Sequence, residues 1–161
     1  MRDERADLLS LKVGINVVNL DSLKERTFAP ALHGFIDTIR EGKPTMPFLI
    51  ASPIYCPSAE EHPGPTVPNA QGVFVTLPGH MEVRNGSLNL QQMRTIIRDV
   101  VEVRRKLGDA NLHYLDGLEL FGAADVDDLP DHLHPNGVGY VRMGQRFNAL
   151  AFGAGGPLAA V

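Results

Sequence analysis

The sequence predicts a single α/β domain in which helices cover both faces of a parallel sheet. Three short apolar runs have the length and composition of buried strands, at residues 8–13, 48–54 and 112–115. Helical patterns lie between and after them, so the order is strand, helix, strand, loop, helix, strand, helix. That alternation is typical of a parallel sheet with crossover helices. At 161 residues, the chain is long enough for one core.

The first predicted strand, Leu8–Val13, leads into the tripeptide Gly14-Ile15-Asn16. Ligands in open α/β sheets bind at the carboxyl ends of the strands. The amide of Asn16 is therefore a candidate donor to a developing oxyanion, and Gly14 is a candidate for close backbone approach to a substrate. The alternative is a simple strand-ending turn.

The next segment predicts a helix and then a second strand. Apolar residues at helical spacing mark residues 28–39. Ser22 lies between a strand and this helix, where a nucleophile could stand, but Asp21 and Ser22 are expected to cap the helix. Residues 48–54 form the strand, which Pro53 ends. Ser52 and Cys56 follow at the same sheet edge and are candidate nucleophiles, although a hydrogen-bonded serine and a buried structural cysteine are the favoured interpretations.

Residues 55–88 are predicted to be a long, proline-rich insertion loop. Loops of this length in a compact domain are usually functional, so we expect this one to wall the substrate side of the site. Asn85-Gly86 is a turn signal, and residues 81–89 are predicted to form a hairpin or a turn. The spacing of the Glu and His residues in the loop fits no common metal site.

The second half of the chain predicts a helix, a strand and a last helix. Apolar residues from Leu90 to Leu107 form the clearest amphipathic stripe, with Asn89 as N-cap and Gly108 beyond the end. The strand at 112–115 follows. Residues 139–151 read as a helix with Val141 and Gly144 among its inward positions, and residues 152–161 read as a flexible tail.

The strongest chemical signal is Asp131-His132-Leu133-His134-Pro135. A carboxylate three residues before a histidine can accept from Nδ1–H and leave Nε2 free as a general base. Pro135 holds His134 in extended geometry, which makes Asp131 and His134 the favoured pair over neighbouring acids and His132. The alternative is a metal bound by Asp128, His132 and His134, completed by a second region of the chain.

Residues 131–147 (DHLHPNGVGYVRMGQRF) resemble the last signature block of the SGNH, or GDSL-type, hydrolases, in which Asp-x-x-His-Pro supplies the catalytic acid and base. Gly14-Ile15-Asn16 resembles the family's Gly-x-Asn block, and residues 50–54 resemble the strand between the two blocks. The matches occur in the family's order. The family's Gly-Asp-Ser block, whose serine is the nucleophile, has no counterpart here, nor has the block that carries its oxyanion glycine.

The resemblance implies a three-layer α/β/α, flavodoxin-like SGNH hydrolase fold that is N-terminally incomplete. It implies a carboxylic-ester hydrolase in which His134 is the base, Asp131 orients it and Asn16 donates to the oxyanion. In the family's arrangement the serine-bearing strand is central, so Leu8–Val13 would be a bare edge. Since bare edges associate, we expect a homo-oligomer that pairs this strand across a two-fold axis. The alternative is a binding or assembly module without catalysis.

Composition narrows the classes of protein and of binding partner that the sequence allows. The net charge is −4 and the pI about 5.8, which disfavours a nucleic-acid or anionic-membrane surface. No apolar run is long enough to span a bilayer, and one cysteine excludes an intrachain disulfide framework. We therefore expect a cytoplasmic protein without a metal or cofactor that acts on a small ester.

Overall fold

A computed structural model describes residues 1–77 and 86–159 of the protein. Its strands are β1 (Leu9–Lys12), β2 (Phe48–Ala51), β3 (Thr66–Pro68), β4 (Phe74–Thr76) and β5 (Leu112–Leu115). Its α-helices are α1 (Ile15–Asn19), α2 (Glu25–Gly42), α3 (Leu90–Lys106), α4 (Gly117–Leu120) and α5 (Gly137–Phe152), and a 3-10 helix covers Ala123–Asp128.

The predicted parallel sheet is present, with strand order β1-β2-β5. Both strand pairs are parallel, and Phe48 is aligned with Leu9 on one side and with Leu112 on the other. The central strand β2 is buried throughout because helices cover both of its faces. Its side chains alternate between two cores, Phe48 and Ile50 on one face and Leu49 and Ala51 on the other.

The two cores define three layers. Helices α2 and α3 bury their apolar stripes against the first face of the sheet, whereas α4, α5 and the segments around them cover the second. The predicted cap of α3 is confirmed, since Asn89 accepts from the N–H of Gln92 and Gln92 accepts from the N–H of Asn89. The cap expected for α2 is wrong: its N-cap is Lys24, whose N–H donates to Thr27 Oγ1.

The segment 55–88 carries structure that the sequence did not predict. Strands β3 and β4 form an antiparallel hairpin whose turn is held by Asn69, which accepts from the N–H groups of Gln71 and Val73. Gly72 in that turn has φ 77°, a conformation that glycine adopts at little cost. Residues 81–85 of the hairpin or turn predicted at 81–89 lie outside the described residues.

The last helix and the segment after it differ from expectation. Val141 and Gly144 of α5 face outward, and Val141 is 61% exposed. Instead of a free tail, residues 153–159 turn back onto α5, where Leu158 is buried and its N–H donates to the carbonyl of Ala151. No helix within the described ranges has the length and apolar character needed to cross a bilayer.

Strand β1 lies at an edge of the sheet and, in the described part of the chain, pairs with β2 alone. Leu9 and Leu11 are half-buried against the first core, while Ser10 and Lys12 are exposed. A strand with this exposure meets the condition for the predicted association. The association itself stays a prediction.

Candidate active site

The centre of the site is the pair Asp131–His134, in the loop between the 3-10 helix and α5. His134 Nδ1 lies 2.7 Å from Asp131 Oδ2, and the other carboxylate oxygen accepts from the backbone N–H groups of Leu133 at 3.0 Å and His134 at 2.7 Å. A carboxylate at Nδ1 favours the tautomer in which Nδ1 carries the proton and Nε2 is a free acceptor. The His134 side chain is 62% exposed, so a substrate can reach Nε2.

The electrostatics keep Asp131 ionised. Partial burial opposes ionisation, but the backbone N–H of His134, its imidazole and the N–H of Leu133 together outweigh burial and lower the pKa of Asp131 to about 2. The carboxylate is therefore charged at neutral pH. A fixed negative charge beside Nδ1 stabilises the imidazolium that forms when Nε2 takes up a proton.

The loop is held in place at both ends. Asn136 caps α5 by accepting from the N–H of Gly139, and its own N–H donates to the carbonyl of Asp128 at 2.8 Å. His132 has φ 64°, which turns the chain between the two members of the pair. The thiol of Cys56 donates to the carbonyl of His132 at 3.2 Å and ties the loop to the segment that follows β2.

The unpredicted hairpin also supports the pair. The N–H of Phe74, in β4, donates to the carbonyl of Asp131 at 2.9 Å. The Phe74 ring meets the His134 imidazole edge-on, with centroids 5.7 Å apart and an angle of 80° between the planes. Phe74 was not identified from the sequence. Asn69 and Gly72 between two short β-forming runs are a hairpin signal that could have placed Phe74 in a strand.

Asn16 and His134 border the same cavity. Asn16 lies in the first turn of α1. A cavity of about 120 Å³ extends from it to the loop that carries His134. Its polar lining residues are Lys12, Asn16, Asn19, Cys56 and His134, and its apolar and aromatic lining residues are Ile15, Ile54, Leu133, Pro135, Tyr140 and Met143. The amide near the start of the chain and the imidazole near its end therefore line the same cavity, although 118 positions separate them in the numbering.

Gly14, unlike Asn16, does not line the cavity. It precedes α1 with φ 137°, it is buried, and it is not among the residues that line this cavity. A Cβ at this position would lie 2.3 Å from Cγ of Pro53, so the backbone of Gly14 is packed against the segment that leaves β2. Its observed contact is with the protein interior, and it brings α1 close to β2.

None of the side chains considered as replacement nucleophiles is hydrogen-bonded to His134 within the described ranges. Ser52 is fully buried, with its Oγ 3.0 Å from the Tyr114 hydroxyl and accepting from the N–H of Gly117 at 2.9 Å. Cys56 is buried, and burial raises the pKa of its thiol. Ser22 is exposed in the turn between α1 and α2.

The acidic residues before the pair serve the fold. Asp125 is buried, and its carboxylate accepts from Arg142 and Arg146 of α5. Asp128 pairs with Arg142 at 2.6 Å. In the part of the chain that the structure describes, no three His, Cys, Asp or Glu side chains are grouped closely enough to hold a metal ion, so the ligands of the alternative metal site are not brought together.

Comparison with known proteins identifies the fold. No family model matches the chain, and no curated protein sequence does. Among solved structures, a salicylyl-acyltransferase from a tetracycline biosynthetic pathway matches 90% of this chain at 29% identity and a TM-score of 0.67. A protein described as a GDSL-like lipase of Bacteroides ovatus matches 94% at 18% identity and a TM-score of 0.65. The chain spans 37% and 36% of the lengths of these two structures. The predicted SGNH-type α/β fold is confirmed.

Proposed function

We propose that this chain carries the acid–base part of an acyl-ester hydrolase site. His134 is the general base, Asp131 orients and stabilises it, and Asn16 donates to the oxyanion. The observation that supports this most directly is the common cavity bordered by Asn16 and by a histidine whose Nδ1 is 2.7 Å from a carboxylate. Similarity to a lipase-like and an acyltransferase structure favours acyl chemistry on this fold.

In the proposed step, Nε2 of His134 removes the proton from an attacking hydroxyl group, and the oxygen adds to the ester carbonyl carbon. The carbonyl oxygen becomes an oxyanion and accepts a hydrogen bond from the Asn16 amide. His134 then gives its proton to the leaving alkoxide, which departs as the alcohol. If water is the attacking group, the products are an acid and an alcohol; if an alcohol attacks, the product is a new ester.

The test is a comparison of two histidine variants with the same substitution. Hydrolysis of p-nitrophenyl acetate is measured for the parent, His134→Asn and His132→Asn. Asparagine tolerates the positive φ of position 132, so the control keeps its backbone. Loss of a general base lowers kcat by about a hundredfold or more, so we expect that loss for His134→Asn and little change for His132→Asn. Equal loss in both variants, or none in either, contradicts the proposal.

A second candidate function is a binding module that retains the fold without catalysis. It is favoured by one observation: within residues 1–77 and 86–159, no hydroxyl or thiol group is hydrogen-bonded to the ring of His134. This candidate predicts that His134→Asn retains the full residual rate of the parent. It also predicts that a fluorophosphonate probe labels neither Ser22 nor Ser52, whereas a label on one of them identifies a nucleophile and supports catalysis.

A further inference from the structure

One charged side chain in the cavity has no role in the proposed chemistry. Lys12, the last residue of β1, lines the cavity together with Asn16 and His134. Among the described residues, no carboxylate forms an ion pair with its ammonium group. Lys12 keeps access to solvent, yet the surrounding protein removes enough water to lower the pKa of its ammonium. An anion beside Lys12 would restore the stabilisation that the lost water supplied.

A second polar group in the cavity also lacks a partner. Asn19 lies three residues after Asn16, so both side chains are on the same side of α1. The side-chain oxygen of Asn19 is buried, and no described residue donates a hydrogen bond to it. A buried acceptor without a donor costs free energy, because it has lost its hydrogen bond to water. A hydroxyl or N–H group on a bound ligand would satisfy it.

The size of the cavity limits what can fill it. A cavity of about 150 Å³ holds one benzene molecule, and this cavity measures about 120 Å³. It is also much smaller than the sites that enclose drug-sized ligands, which begin at about 300 Å³. The occupant is therefore a short chain or a small ring. The apolar lining, which includes Ile15, Ile54 and Met143, suits a few methylene groups between two polar ends.

We propose that this cavity selects small esters that carry a carboxylate, which Lys12 binds. An ester that also carries a hydroxyl or N–H group would satisfy the side-chain oxygen of Asn19 as well. The inference rests on the proposed function, because it assigns a substrate class to that site. Binding of the carboxylate by Lys12 differs from a general catalytic role for this residue. A lysine that stabilised the oxyanion would assist every ester equally, whereas a lysine that binds the carboxylate assists only esters that have one.

The kinetic test uses two esters that differ at one end of the acyl chain. Ethyl butyrate ends in a methyl group where monoethyl succinate has a carboxylate. We expect the parent to have the higher kcat/KM for monoethyl succinate. A hydrogen-bonded charge pair of this kind is worth about tenfold or more, so Lys12→Met should lose that factor on monoethyl succinate while ethyl butyrate is nearly unaffected. Lys12→Arg should restore part of the preference.

Lys106→Met is the matched control, because it removes the same charge from an exposed position at the end of α3. It should change neither rate. Equal losses on both esters in Lys12→Met overturn the proposal and assign Lys12 to the oxyanion instead. A parent that shows no preference for monoethyl succinate overturns it as well.

A binding measurement separates this inference from the proposed function. If neither ester is turned over by the parent, the proposed function fails, and binding alone then decides about Lys12. Monoethyl succinate is titrated into labelled protein while the side-chain amide signals of Asn16 and Asn19 are followed by NMR. We expect saturable shifts in the parent and in Lys106→Met, and much weaker binding in Lys12→Met. Equal affinity in the parent and Lys12→Met overturns the inference.

Discussion

Replacing Gly14 by alanine tests how the structure positions Asn16. The backbone at Gly14 has φ 137° and ψ −55°, a region that side chains rarely adopt, and a residue held there costs about 1–3 kcal/mol. The added Cβ would also lie 2.3 Å from Cγ of Pro53, and overpacking of this kind costs about 1–3 kcal/mol more. Together these costs predict that Gly14→Ala lowers the free energy of unfolding by about 2–6 kcal/mol.

Urea and thermal denaturation measure this loss. For a domain of this size, each kcal/mol corresponds to about 2–4 °C in Tm, so the variant should melt several degrees below the parent. Gly34→Ala is the matched control: Gly34 lies inside α2, a Cβ there meets no atom within 4 Å, and alanine should stabilise the helix by about 0.5–1 kcal/mol. If Gly14→Ala melts at the temperature of the parent, the described backbone at Gly14 is refuted.

Three further predictions concern the pair and its supports. The pKa of Asp131 in the folded protein is about 2, below its ordinary 3.8. The ionised carboxylate therefore stabilises the fold by about 1–2 kcal/mol, an amount reduced by its partial exposure to solvent. This contribution is fully present above about pH 5 and is lost as the pH falls toward 2. Asp131→Asn should therefore flatten the acid limb of a Tm-against-pH curve, and an unchanged limb contradicts the assignment. Asp125→Asn should lower the free energy of unfolding by about 2 kcal/mol in urea titrations, because a buried carboxylate that binds Arg146 is replaced by a neutral amide. A loss no larger than that of an exposed Asp→Asn change would refute the stabilising role of Asp125. Phe74→Leu should cost about 1 kcal/mol and shift the ring-proton NMR signals of His134, since the edge-on aromatic contact is lost. Unchanged signals would show that the two rings do not meet in solution.

The parts of the fold that the sequence predicted are those with local causes. Helix α3 follows from an apolar stripe of period 3.6 with a capping asparagine, and β2 follows from a short run buried on both faces. The hydrogen bond between Asp131 and His134 is also local, because three residues and one proline determine whether the two side chains meet. In each case the signal lies within one short stretch of the sequence.

The parts that the sequence did not predict depend on contacts between distant segments. Phe74 supports Asp131 across 57 positions of the chain, and no periodicity or spacing connects them. The small residues around Leu158 predict a flexible tail, but Leu158 is buried in the core on the second face of the sheet. Val141 has the helical spacing of an inward residue and is exposed, since the hydrophobic pattern of α5 is wider than the surface that covers it.

The two halves of the site are joined by a residue that sequence reasoning considered for a chemical role. Cys56 follows β2, and its thiol donates to the carbonyl of His132, in the loop that carries His134, the proposed general base. A thiolate has no proton to donate, so the hydrogen bond that holds this loop exists only while Cys56 is protonated. Burial, which raises the pKa of the thiol, favours the same protonated form. The two effects reinforce each other: the environment that makes Cys56 a poor nucleophile is the one that lets it hold His134 across the cavity from Asn16.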